Sequence, residues 1–168
     1  RYLVAARQAQ ADVVVRITGD CPLIDPALVD QVIAQFKAKG VDYLSNTAPA
    51  TYPDGLDTEV FTLQALERAG RESRDPFDHE HVTPYLRKPG LYKTGAMQHS
   101  EDLSGLRWTV DEPADLEVVS QVFAHFVPNI HFSWTEVLGL QRSQPVIFSA
   151  NHKIIRNEGA NMGTGQKL

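Results

Sequence analysis

Cysteine is nearly absent. Cys21 stands alone in 168 residues, so no disulfide framework can hold this chain together. A single thiol fits a reducing compartment, and the expected location is the cytoplasm. Positive charge is not in excess either: 16 Lys and Arg face 21 Asp and Glu, for a net charge of -5. Without a basic cluster there is no electrostatic footprint for nucleic acid, and the acidic balance also disfavours a membrane-surface role. No apolar run approaches the roughly 20 residues that span a bilayer, no signal peptide is legible, and no repeat or biased segment occurs. What remains is an ordinary globular composition, 42% hydrophobic and 22% charged, in a chain long enough to bury one full core.

The residues that are present alternate between two periods. Positions 1–10 read as the end of an amphipathic helix, with Leu3, Val4 and Arg7 at helical spacing. Val13 to Ile17 are too few and too β-branched for a helix and are apolar on both faces, the pattern of a central strand in a parallel sheet. Asp25-Pro26 is a helix start, with Asp as the cap and Pro at the first helical position. Leu28, Val29, Val32, Ile33 and Phe36 then form a buried stripe that Gly40 closes. "VDYLSN" (41–46) makes a second strand, so this span predicts a βαβ unit. A Pro/Gly-rich loop, "TAPATYPDGLD", leads to the strand "TEVFTL", a helix from Leu63 to about Arg71, and a short Pro-bounded helix in "DPFDHEHVTPYLRKPG". "LYKTGAMQH" and "LRWTV" are strand candidates. Pro113 opens a helix whose inward residues are expected to be Leu116, Val119, Val122, Phe123 and Phe126, and "SWTEVLGLQR" is a last helix capped by Ser133 or Thr135. Beyond Pro145 the chain turns polar and aperiodic, like a linker. A helical pattern already under way at Arg1, and an end in "NMGTGQKL", predict an internal piece of a longer protein.

Alternating strands and helices give an α/β fold, and in open α/β sheets ligands sit outside the carboxyl ends of strands. Asp20, in "VVVRITGDCPLIDP", stands at such an end, and so does Asp111 after "RWTV". Magnesium takes one or two protein carboxylates and leaves its other positions to water and substrate phosphates, so two Asp residues at strand ends suit it. Strand-end Asp also commonly caps a turn or helix, and spacing alone leaves both readings open.

Five ordered segments carry a resemblance. "VVVRITGDCPLIDP", "DYLSNT", "YPDGLDTEVF", "EHVTPYL" and "LRWTVDEPADLEVV" resemble the spore coat polysaccharide biosynthesis protein F-like cytidylyltransferases, relatives of the acylneuraminate and 3-deoxy-manno-octulosonate cytidylyltransferases. The resemblance covers about residues 1–140 and implies a Rossmann-like, GT-A-like nucleotide-diphospho-sugar transferase fold: a mixed sheet flanked by helices. It implies a sugar hydroxyl attacking the α-phosphate of CTP, with pyrophosphate leaving and Mg²⁺ required. Asp20 matches the family's metal aspartate, and Asp111 matches the second metal aspartate of the related sugar cytidylyltransferases. Substrate roles are expected for Arg16 (a phosphate contact, or a salt bridge near the strand end) and for Asn46 with Thr47 (a sugar pocket, or a turn). Asp57 and Glu59 are expected to meet sugar hydroxyls, with a solvated face as the alternative for Glu59. His81, with Glu80, is expected in a substrate loop, and Gly55 is expected to supply a positive φ. His79 and His81, two apart on a helix, point different ways and do not read as a metal pair. Cys21 has no base nearby and reads as a small residue in a tight turn.

The departures are equally specific. The family's opening Gly-rich loop with Arg and Lys, which cradles the triphosphate, has no counterpart before Asp20, so the domain is expected to be incomplete at its N-terminus and, alone, a poor binder of CTP. Residues 1–142 are expected to be the carboxy-terminal part of a cytidylyltransferase domain and 143–168 a linker. "NHKIIRNEGANMGTGQKL" faintly resembles the junction before a pyridoxal-phosphate aminotransferase, a possible fused partner; the related enzymes also tend to form homodimers. Two other functions share these residues: a non-catalytic nucleotide-binding-like scaffold, motivated by the missing loop, and a nucleotide-sugar glycosyltransferase, which would need an Asp-x-Asp pair that "TGDCP" lacks.

Overall fold

The computed structural model describes residues 1–154 and Arg156. The part of the tail that follows, on which the resemblance to an aminotransferase junction mostly rests, lies outside the described residues. The chain divides into two compact units. One is formed by Arg1–Ile17, Leu28–Pro49 and Thr58–Gln98, and the other by Thr18–Ala27, Ala50–Asp57 and the chain from His99 onward.

The first unit holds α1 (Tyr2–Gln8), β1 (Val13–Arg16), most of α2 (Pro26–Lys39), β2 (Tyr43–Ser45), β3 (Glu59–Thr62), α3 (Leu63–Glu72), α4 (Pro76–His81), a 3-10 turn at Tyr85–Arg87, and β4 (Thr94–Ala96). Its sheet runs β1-β3-β2-β4, with β3 antiparallel to both neighbours and β2 parallel to β4. The expected β1-α2-β2 unit is therefore present but split, because β3 lies between its two strands. β1 is not central among the described strands: it ends the order, pairs antiparallel, and exposes Val13 and Val15. β-branched residues specify an extended segment, but neither the neighbour nor its direction. Phe61 and Tyr43 of the sheet meet Ala65, Leu66 and Ala69 of α3, Ala6 of α1, and Leu86 in one apolar cluster. Thr62 ends β3 and starts α3, its hydroxyl accepting the Ala65 N–H at 3.0 Å. Along α2, Leu28, Val32 and Phe36 are buried while Val29 and Ile33 are half-buried, and Gly40 at φ 53° ends the helix.

The second unit is built on α5 (Pro113–Phe126), α6 (Trp134–Ser143) and a 3-10 turn at Pro145–Phe148 against which both helices pack. Ser133 caps α6 reciprocally with Glu136. Asp25 caps α2 through Ala27 N–H at 2.7 Å, and its other oxygen accepts the Trp134 N–H at 2.8 Å. Three expectations change here. "LRWTV" is no strand: Arg107 makes an isolated parallel bridge with Asp54. Leu116 faces solvent at 56% exposure, while Val118, with Val119 and Val122, fills the inward face of α5. The segment after Pro145, expected as linker, keeps Phe148 and Asn151 buried. Gly55 does adopt a positive φ, 105°, and a Cβ there would lie 2.6 Å from backbone atoms of Trp108 and Thr109. No helix among the described residues is long and apolar enough to cross a membrane.

Candidate active site

In the second unit the chain turns at Thr18–Cys21 and is fastened there by its backbone. The Asp20 carbonyl accepts the Val110 N–H at 2.8 Å and the Thr109 hydroxyl at 3.0 Å. Asp111, the next residue, thus stands one position beyond a direct link to Asp20. The Asp20 side chain is half-buried and accepts the Cys21 thiol at 3.6 Å. Burial pushes the Cys21 thiol up to about 12, so it stays protonated and serves this turn as a weak donor.

The Asp111 side chain is 52% exposed, and one oxygen accepts Arg107 Nη2 at 2.9 Å. Arg107 is only 8% exposed and is itself gripped from inside. Its Nε and Nη2 donate to the two oxygens of Asp115 at 2.8 and 2.7 Å, the planar fork that guanidinium and carboxylate form best. Nη1 reaches Asp54 at 3.3 Å. Asp115, fully buried, also accepts the N–H groups of Asp111 and Glu112 at 3.0 Å each and Asn151 Nδ2 at 2.8 Å. Burial would raise its pKa, but Arg107, Asn151 and the two amides outweigh that and hold it well below the usual carboxylate range. Asp54 goes the other way: burial pushes it up to about 6, with Asp57 and Asp111 adding to the rise and Arg156 and Arg107 opposing it. Arg156 donates to Asp57 at 2.5 Å and to the Tyr52 carbonyl at 3.2 Å.

Two hard carboxylates on hydrogen-bonded neighbouring segments, one half-buried and one exposed, fit the few-ligand, water-and-phosphate coordination that Mg²⁺ prefers. Among the described residues no three or more His, Cys, Asp or Glu side chains gather into a closed cage.

The first unit has its own charged centre. Glu59 is 2% exposed, which removes the solvated-face alternative. Its carboxylate accepts Arg16 at 2.5 Å, Tyr43 at 2.5 Å, Arg87 at 2.6 Å and Thr83 at 3.2 Å. Burial opposes ionisation, yet Arg87, the Tyr43 hydroxyl and Arg16 hold its pKa below the ordinary value. Arg16 therefore makes the salt bridge that was one of its two readings. Asn46 is buried, its Oδ1 accepting the Thr58 N–H at 2.8 Å. His81 is exposed on α4, with its ring 4.3 Å from that of Phe77.

Sequence reasoning missed Arg107, Asp115, Asp54, Asn151 and Arg87. Two signals were available: Asp115 sits at a capping position behind Glu112-Pro113, and Arg107, Asp111 and Asp115 are spaced four apart across the start of a helix. Nothing local marks Asn151 or Arg87, whose partners lie 36 and 28 residues away.

Comparison with known proteins supplies the context for these sites. A protein of Methanocaldococcus jannaschii with no assigned function is 35% identical over 129 residues, covering 75% of this chain and 52% of its own length. The spore coat polysaccharide biosynthesis protein SpsF of Bacillus subtilis is 28% identical over 149 residues, covering 86% of this chain and 61% of its own. The solved structure of a cytidylyltransferase from Leptospira borgpetersenii superposes with a TM-score of 0.84 at 31% identity, over 88% of this chain and 63% of that one. The chain thus spans between about half and just under two thirds of the length of these relatives, and has the α/β nucleotidyltransferase fold of the solved one. The family model for cytidylyltransferases matches residues 1–122, the span that carries Arg16, Asp20, Glu59, Arg107, Asp111 and Asp115, and on that match the chain belongs to the cytidylyltransferase family.

Proposed function

We propose that the full-length protein is a Mg²⁺-dependent sugar cytidylyltransferase, which joins CTP and a sugar to give a CMP-sugar and pyrophosphate. The observation that carries the reading is the pair of bonds from Val110 and Thr109 to the Asp20 carbonyl, which sets Asp20 and Asp111 on neighbouring segments of one unit. In the reaction a sugar hydroxyl oxygen bonds to the α-phosphorus and the bond to the bridging oxygen breaks. Pyrophosphate takes the electron pair, and the hydroxyl proton leaves to solvent.

Asp20 and Asp111 would hold the ion, which supplies charge neutralisation at the triphosphate as the α-phosphorus is attacked. Arg16, held against Glu59, is offered for the phosphate side. Asn46, Asp57 and His81 are offered for the sugar side, and Glu59 acts through the two guanidinium groups it orders. A role for the product in surface polysaccharide synthesis rests on the similarity to SpsF.

The test is pyrophosphate release by the full-length protein from CTP across a panel of sugars, with Asp20→Asn and Asp111→Asn as variants. Each substitution should lower the rate roughly 100-fold or more, the scale on which one lost electrostatic group acts at a reacting phosphate. Release that survives both substitutions removes the metal assignment. A wild-type protein that binds nucleotide yet turns over no sugar favours the scaffold function instead.

A further inference from the structure

Asp111 is held at both ends by one buried assembly. Its backbone N–H donates to Asp115 Oδ2 at 3.0 Å, while its carboxylate accepts Arg107 Nη2 at 2.9 Å, and Arg107 is forked onto that same Asp115. Asn151 braces the far oxygen of Asp115 at 2.8 Å, and Asp54 takes the remaining arm of Arg107 at 3.3 Å. Most of this assembly is sealed: Arg107 is 8% exposed and Asp115 fully buried. The only member that faces water substantially is Asp111, at 52% side-chain exposure.

A helix cap alone needs none of this. Asp115 already accepts the amides of Asp111 and of the cap residue Glu112, just ahead of α5, and a surface Asp four residues from an Arg normally contributes little and stays mobile. Here the guanidinium is immobilised first, by a fork on a buried carboxylate, and only its outer hydrogen is spent on Asp111. One Asp111 oxygen is committed inward, so the other is the one offered to a ligand.

We infer that Arg107 is a positioning residue: it fixes the rotamer of Asp111, so that this side chain meets a divalent cation through a single predetermined oxygen. The inference rests on the reading of Asp111 as a cation ligand. The positive Arg107 lies next to the cation site and by Coulomb's law weakens cation binding, so its benefit is geometric. A substitution that keeps the charge but loses the fork, Arg107→Lys, separates the two effects.

The experiment uses the full-length protein and Mn²⁺ as the probe, with free Mn²⁺ read by electron paramagnetic resonance, well below the melting midpoint of each variant. Arg107→Lys should weaken Mn²⁺ binding roughly 10- to 100-fold, as loss of a group that orients a metal ligand typically does. Asn151→Ala changes no charge and touches Asp111 only through Asp115; it should weaken binding in the same direction by less. If Arg107→Lys does not fold, Asn151→Ala decides alone. Wild-type affinity in the variants that fold, alongside loss of binding in Asp111→Asn, overturns the positioning role and leaves the cation site standing. Wild-type affinity in Asp111→Asn and Asp20→Asn overturns both.

Discussion

Replacing Glu59 by Gln tests the charged centre of the first unit without changing its volume. The carboxylate is 2% exposed and takes two guanidinium groups and two hydroxyls. Gln keeps one acceptor but turns an NH₂ toward a guanidinium, and leaves Arg16 and Arg87 facing each other without their counter-charge. Breaking a buried ion pair from one side costs about 3–5 kcal/mol. Arg16 and Arg87 are 21% and 40% exposed and regain part of their hydration, so the lower end applies, roughly 3 kcal/mol. For a domain of this size that is a fall in melting temperature of about 6–12 °C. The pH dependence gives a second, independent signature. The folded pKa of Glu59 lies below its ordinary value, so between the folded and unfolded pKa the unfolded chain binds more protons. Its contribution is therefore fully present above the unfolded carboxylate range, about pH 4.3 and higher, and is lost as pH falls through the folded pKa. Scanning calorimetry on wild type and variant from pH 7 downward should show a constant gap that closes in acid. A gap under 2 °C at pH 7, or one that widens in acid, refutes the account of Glu59 as the ionised partner of both arginines.

Asp54 should show the opposite slope: its pKa is raised from 3.8 to about 6, so the folded state binds the extra proton and stability falls as pH rises from about 4 to 6, by at most about 3 kcal/mol. Urea denaturation of Asp54→Asn should lack that decline, so the variant gains on wild type across the same interval. An unchanged slope would mean that the Asp54 pKa does not differ between the folded and unfolded chain. Gly55→Ala places a Cβ 2.6 Å from backbone at φ 105°, and should cost roughly 3 kcal/mol or prevent folding. Gly105→Ala, which meets nothing within 4 Å, should shift the denaturation midpoint little, and equal effects at the two glycines would refute the close-approach argument.

Local chemistry was well legible in the sequence. The β-branched run at 13–15, the Asp25-Pro26 start of α2, the Ser133 cap and the long α5 all stand where residue type alone puts them. The shifts concern partners. Period-2 and period-3.6 patterns report contrast between core and solvent, and say nothing of which strand lies alongside; hence β3 between β1 and β2 came as new information. "LRWTV" has strand composition because Trp108 is fully buried and hydrogen-bonds Gln141, yet its backbone bonds go to Asp54 and Asp20 rather than to a sheet. Of the candidate residues, Asp20 and Asp111 are legible as carboxylates that interrupt an apolar pattern at the ends of strand-like runs. The place of Glu59 in a strand is legible, but not the partners that satisfy its carboxylate, since Arg16 lies 43 residues before it and Arg87 28 after.

The interleaving of the two units has a consequence for how the chain is made. The chain passes from one unit to the other five times, at 17/18, 27/28, 49/50, 57/58 and 98/99. As a ribosome extends it, every residue of the sheet-bearing unit has been synthesised once Gln98 is added. Asp20, Asp25 and Asp54 by then have been waiting for partners that do not yet exist: Val110, Trp134 and Arg107. The second unit therefore closes last, around early segments held in reserve, and premature termination between Gln98 and α6 leaves the four described strands complete beside stranded pieces of the second unit.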